Sequence, residues 1–200
     1  MSFITSIRAL VTPGVSSVPA PATSPAPDRF AACLSFSWRP DCDGQPLHTT
    51  AHDAGGATSW GVTLATYTAW RIDHGHPAPT VADLAAATKD ELAALLRVRF
   101  WNPIQADHLP PGVDLLAWDF GFMSGPPRSA KLLQELVGVV QDGAIGPATL
   151  AAVARQDRLS LIRHLGARHE AFYRSLDGFP NFGRGWLRRS GDRLAIALKT

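Results

Sequence analysis

The sequence predicts an all-α fold, and three observations predict it. From Asp28 onward apolar residues recur at helical spacing, and no stretch shows convincing strand alternation. Thr80-Val-Ala-Asp83 and Thr88-Lys-Asp-Glu91 carry the pattern of capping boxes or close relatives, which opens helices. The 200 residues, 46% hydrophobic and 18% charged, suffice for a packed core and exclude wholesale disorder. No apolar run approaches the roughly 18 residues of a membrane span. Two cysteines, Cys33 and Cys42, supply neither a disulfide framework nor a Cys-only zinc site.

The helices follow in order. Arg29 to Arg39 carries a stripe of Phe30, Cys33, Leu34 and Trp38 that Pro40 stops. Thr63 to Ile72 forms a second helix, and the two Thr-initiated patterns open the next pair, the second running to about Trp101. Gly112 to Met123 is apolar nearly throughout, which marks a buried central helix. Arg128–Val137, Pro147–Arg155 and Leu159–Leu176 come next, and a short amphipathic segment from Trp186 to Leu198 closes the chain.

Residues 1–27 are rich in Pro, Ala, Ser and Thr and read as a flexible leader. Ser6 and Arg8 break the apolar start and Pro13-Gly14 follows at once, which does not make a secretion signal. The expectation is a protein made in the cytoplasm that reaches its target by holin-type or other release. The net charge of +2 is uneven: from Arg155 onward there are ten basic and four acidic residues, whereas Asp28 to Ala154 has eight and thirteen. A basic terminal segment suits an anionic wall or membrane surface, with Arg184, Arg188, Arg189 and Arg193 near Trp186; an ordinary solvated helix face is the plainer alternative. Nucleic acid is not expected, because aromatic-basic interleaving is missing.

Helix physics does not explain Pro40 to Thr63. This stretch concentrates Asp41, Asp43, Asp53, His48, His52, Thr58 and Trp60 among glycines, and long irregular loops in compact domains are usually functional. An all-α protein with an acidic, Gly-rich loop after its first helix has the general plan of lysozyme-like muramidases, in which a carboxylic acid at a helix end protonates a glycosidic oxygen.

The motifs make the likeness specific. Asp53-Ala-Gly-Gly-Ala-Thr-Ser-Trp-Gly-Val-Thr63 resembles the "D-P-G-G-x-T-x-x-G-I/V-T" signature of the glycosyl hydrolase 108 family of phage and bacterial N-acetylmuramidases. Phe100-Trp101, Leu109-Pro-Pro-Gly-Val-Asp114, Trp118-Asp119, Ser124-Gly125, Ala130, Leu133-Gln134, Gly138 and Asp142-Gly-Ala-Ile-Gly-Pro-Ala-Thr149 resemble its later segments. The resemblance implies a muramidase region over 28–108 and a helical peptidoglycan-binding region over 109–200 packed on it. It also implies an endolysin-like enzyme cleaving the β-1,4 bond between N-acetylmuramic acid and N-acetylglucosamine, with peptidoglycan as partner and no cofactor. A catalytically weak or inactive wall-binding protein of the same fold is the alternative.

The family's acid stands in "E-G-G" after the first helix, and no glutamate precedes Glu91. Counting along the helix lands on Asp41; counting back from Asp53 lands near Asp43-Gly44. The helix register favours Asp41. Aspartate is one methylene shorter than glutamate, and a misplacement of about 1 Å can cost on the order of 100-fold in rate. The resemblance implies roles for Asp53 in orienting water or stabilising oxocarbenium charge and for Thr58 on the sugar or that water. His48 is expected to point into the cleft and Trp60 to line it, whereas Tyr67 and Trp70 read as core.

Two other readings of the loop are weaker. Asp41-Cys42-Asp43-Gly44 resembles the "D-C-S-G" of cysteine endopeptidases, but Gln45-Pro46 starts no helix that could activate a thiol. His48 and His52 have the i, i+4 spacing of zinc ligands, but the glutamate of "H-E-x-x-H" is missing, so no metal is expected. Met123 replaces an asparagine of the family's buried motif, which removes a polar contact there.

Overall fold

A computed structural model describes residues 28–39, 44–49 and 56–200. Asp28 opens helix α1 (Arg29–Ser37) by accepting a hydrogen bond from the Ala31 N–H, and Trp38 closes it. Three very short strands follow: β1 (His48–Thr49), β2 (Ala57–Ser59) and β3 (Val62–Thr63), an antiparallel sheet in that order. Strands of two or three residues are too short to show alternation, so the all-helical reading missed them. The other elements among the described residues are helical.

Helix α2 (Leu64–Asp73) starts at Thr63, and α3 (Val81–Ala86) starts at Thr80 with both halves of a capping box formed. At α4 (Lys89–Leu96) only half the box forms. Thr88 accepts from the Glu91 N–H, while the Glu91 carboxylate accepts a 2.9 Å bond from Tyr67 Oη instead of turning back. Helix α4 continues into a π turn, Arg97–Trp101, that carries Trp101 into the core. Two 3₁₀ turns, Asn102–Ile104 and Ala106–His108, lead to α5 (Val113–Ser124).

Helix α5 is the axis of the molecule. Val113, Leu116, Trp118 and Phe120 on it are fully buried, each such side chain contributing ~1.5–3 kcal/mol. Around it pack α1, α6 (Pro126–Val137), α8 (Arg158–Arg174) and α9 (Phe179–Ala197), with α7 (Pro147–Ala154) against α6. Phe30, Trp101 and Trp118 meet edge to face at 5.4 to 5.8 Å, which ties α1 to the π turn and to α5.

Two expectations change. Helix α9 is 19 residues long instead of a short segment from Trp186: Pro180 lies in its first turn, where its missing N–H costs nothing, and packing against α8 overrides the low propensity of Gly183 and Gly185. Met123 lies on the exposed side of α5, so the asparagine it replaces is not a buried contact here.

Candidate active site

Helix α1 delivers the chain to the site, and its last residue is fixed from below. Ser37 Oγ donates to Asp119 Oδ1 at 2.8 Å and accepts from Trp118 Nε1 at 2.9 Å. The fully buried Asp119 carboxylate also accepts from Arg189 Nη2 at 2.6 Å and Arg193 Nη1 at 2.8 Å. Burial alone would raise this carboxyl, but the two guanidiniums and the hydrogen bonds from Arg189 and Ser37 hold it down at about 2. Arg193 reaches on to His169 Nδ1 at 3.2 Å. Burial, with Arg193 adding to it, keeps His169 neutral, its pKa well below the ordinary imidazole range. Its ring stacks on Phe120 at 4.0 Å.

This cluster corrects the reading of the basic tail. Arg189 and Arg193 are 8% and 1% exposed and neutralise Asp119, so they are no part of a surface patch. Charged residues at helical spacing look like a solvated face until their buried partner is known, and that partner lies 70 and 74 residues away.

Past Trp38, Arg39 and Gly44 meet. The Gly44 N–H donates to Arg39 O at 3.0 Å, and a Cβ at Gly44 would collide with Trp38 O, so only glycine fits. Asp41, Cys42 and Asp43 fall in 40–43, and His52 and Asp53 in 50–55, outside the described residues. The flanks of both segments are described. Arg39 pairs with Asp192 at 2.9 Å, a second tie from this corner to α9.

The sheet brings the remaining candidates together. His48 is the cross-strand partner of Thr58, which in turn pairs with Thr63. His48 Nδ1 lies 3.0 Å from Pro46 O, and Thr58 Oγ1 donates to Gly56 O at 3.2 Å. Trp60 and Gly61 form the two-residue turn between β2 and β3, with φ of 50° and 76°. Both angles belong to a type I′ turn, whose first position ordinarily takes Asn, Asp or Gly. Gly61 is pressed against the Phe122 ring, so a side chain there has no room.

Trp60 is gripped from several sides. Its N–H donates to Gln45 O at 2.8 Å, and its carbonyl accepts a 2.8 Å bond from Trp38 Nε1. The two indole rings are 5.9 Å apart, and Lys89 Nζ sits 3.6 Å from the Trp60 ring centroid. Trp38 therefore joins the end of α1 to the hairpin. Reading it as one more residue of an apolar helical stripe missed that role, since a helical stripe does not reveal an indole N–H aimed at a turn 22 residues on. Tyr67 is core, 1% exposed, and Trp70 packs on His74, as expected of aromatic residues at helical spacing.

The later helices hold a second polar joint. Gln134 Nε2 donates to Asp142 Oδ1, Ala144 O and Thr149 Oγ1 at 2.7, 3.0 and 3.2 Å, and its carbonyl accepts from the Gly143 N–H. This buried amide locks the turn between α6 and α7 beside a groove of about 460 Å³. Cys33 is buried between α1 and α5, and burial pushes its thiol up, away from nucleophilic use. Among the described residues no three His, Cys, Asp or Glu side chains cluster as metal ligands.

Residues 43–125 match the family described as Glycosyl hydrolase 108, and residues 128–191 match the one described as Predicted Peptidoglycan domain. The solved structure of Brucella abortus SagA is similar to this chain, with a TM-score of 0.78 and 37% sequence identity, over 87% of this chain and 96% of that one. No curated protein matches.

Proposed function

The chain belongs to the glycosyl hydrolase 108 family, and from that premise we propose that this peptidoglycan-acting glycosidase is an N-acetylmuramidase cutting the β-1,4 bond between N-acetylmuramic acid and N-acetylglucosamine. One observation carries the reading. The end of α1, where lysozyme-like enzymes present their acid, is clamped to Asp119 from below and bonded through Trp38 to the hairpin that holds Thr58 and Trp60. The end of α1 and the hairpin are thereby held at a fixed spacing, which proton transfer to a glycosidic oxygen requires.

We assign the general acid to Asp43 rather than to Asp41. Helix α1 ends at Ser37, so helical register does not extend to position 41. Gly44 tolerates no side chain, and a glycine follows the acid in the family's "E-G-G"; of the two aspartates only Asp43 precedes a glycine. The family match itself begins at residue 43. Asp43 would protonate the leaving oxygen, while Asp53 and Thr58 steady the oxocarbenium-like sugar or the incoming water. The chemistry draws on side chains and needs no cofactor.

The absence of a glutamate before Glu91 supports a second reading, a wall-binding protein with weak or lost catalysis. One experiment separates the two. Purified peptidoglycan is incubated with the protein, the released fragments are reduced with borohydride, and the reduced sugar is identified. Muramitol supports the muramidase, glucosaminitol reassigns the bond, and undigested wall that carries bound protein supports the second reading.

A further inference from the structure

Lys89 breaks a local rule. It is the first residue of α4, at the positive end of the helix dipole, where a cation is disfavoured and Asp or Glu is preferred. Trp60 breaks another by occupying a left-handed turn position with a bulky side chain. The two meet: the Lys89 ammonium stands 3.6 Å from the Trp60 ring centroid and 5.9 Å from that of Trp38. Residues that run against local preference and support each other are expected at functional sites.

The cation is held but not neutralised. Lys89 is exposed, and among the described residues no carboxylate lies within ion-pair distance of it. Glu91, two residues on, is engaged by Tyr67 instead. A contact with a ring face uses none of the ammonium's three N–H donors in a conventional hydrogen bond, so they are open to an acceptor. The same contact covers one face of Trp60, so a sugar stacking there has to displace the lysine. A positioned ammonium beside the proposed glycan site matches a carboxylate.

We infer that Lys89, carried on Trp60, binds a carboxylate of the muramoyl residue: the lactyl carboxylate in peptide-free glycan or a carboxylate of the stem peptide. The inference rests on the peptidoglycan glycosidase reading above, and it makes Lys89 a specificity residue rather than a catalytic one.

Its test does not depend on turnover. Wild type, Lys89→Met and Lys89→Arg are checked for equal thermal unfolding. Each is then titrated by tryptophan fluorescence with three soluble glycans: peptide-bearing strands, peptide-stripped strands, and stripped strands with carboxylates reduced to alcohols. Wild type and Lys89→Arg are expected to bind a carboxylate-bearing glycan about fivefold tighter than Lys89→Met, the upper range of an exposed ion pair. All three should bind the reduced strands equally. A loss on stripped strands assigns the lactyl group, and a loss confined to peptide-bearing strands assigns the stem peptide. An equal loss on reduced strands, no loss at all, or no binding by wild type overturns the site. Carboxylate-dependent binding with uncut strands keeps the site and removes the glycosidase; normal cutting without that dependence does the reverse.

Discussion

Ser37 Oγ and Asp119 Oδ1 are hydrogen-bonded at 2.8 Å across 82 residues of sequence, where the last residue of α1 meets the centre of α5. Asp119 is also the counter-ion of Arg189 and Arg193, so a single buried carboxylate joins the helix that leads into the site to the terminal helix. Removing one member of a buried pair leaves a charge without compensation and costs about 3–5 kcal/mol. Asp119→Asn should lower stability by that order in urea unfolding. Ser37→Ala leaves Trp118 Nε1 and one lone pair of Asp119 unpaired and should cost about 1–3 kcal/mol. The reverse ranking would show that the arginines, not the carboxylate, organise the joint.

Two pH windows follow from the same cluster. His169 stays neutral in the fold at pH values where the unfolded chain's imidazole is protonated, so stability is full above about pH 6.5 and declines as pH falls below it. Asp119 is ionised in the fold down to about 2, so its contribution is full above the unfolded carboxylate range near 4 and is lost as pH falls through 2. His169→Gln keeps an acceptor for Arg193 but does not titrate. Its melting temperature should fall less steeply than that of wild type as pH drops below about 6.5. An unchanged slope in the upper window would assign that titration to another group.

The helices are legible because their signals are local. Thr80 with Asp83, Pro147 at a helix start and the nearly continuous apolar run of α5 each say what they form within a few residues. The loop motif around Thr58 and Trp60 is legible as a family signature for the same reason. Asp119, Arg189 and Arg193 are not, since a buried ion cluster exists only once distant elements meet. Nor is the 60–61 turn, because Trp is the wrong residue for it by preference and is held there by Trp38, Gln45 and Lys89.

We propose that any wall attraction through the terminal segment is carried by arginines other than 189 and 193. Arg155, Arg163 and Arg184 are exposed and have no carboxylate partner among the described residues. Arg163→Glu with Arg184→Glu should weaken sedimentation with purified walls at 0.1 M salt and change little at 1 M, where the Debye length falls from roughly 10 to 3 Å. Arg193→Glu should instead reduce the folded fraction at either salt concentration. Equal sedimentation of the double variant and wild type at low salt would leave these arginines as a solvated face.

The acid assignment gives the sharpest outcome. Asp43→Asn keeps shape but cannot donate the proton, so release of reducing ends from walls should drop by at least about 100-fold, the lower range for general acid catalysis. Folding and wall sedimentation should be unchanged, as thermal unfolding and co-sedimentation with walls would check. Asp41→Asn should keep most of the activity, since α1 stops at Ser37 and does not fix position 41. Asp43→Glu restores the longer arm that the family pattern carries before its glycine and should maintain or raise the rate. A dead Asp41→Asn beside an active Asp43→Asn would move the acid to the helix count. A fall of more than about tenfold in Asp43→Glu, as expected when reach is wrong by an ångström, would show that the cleft has closed in around the shorter acid.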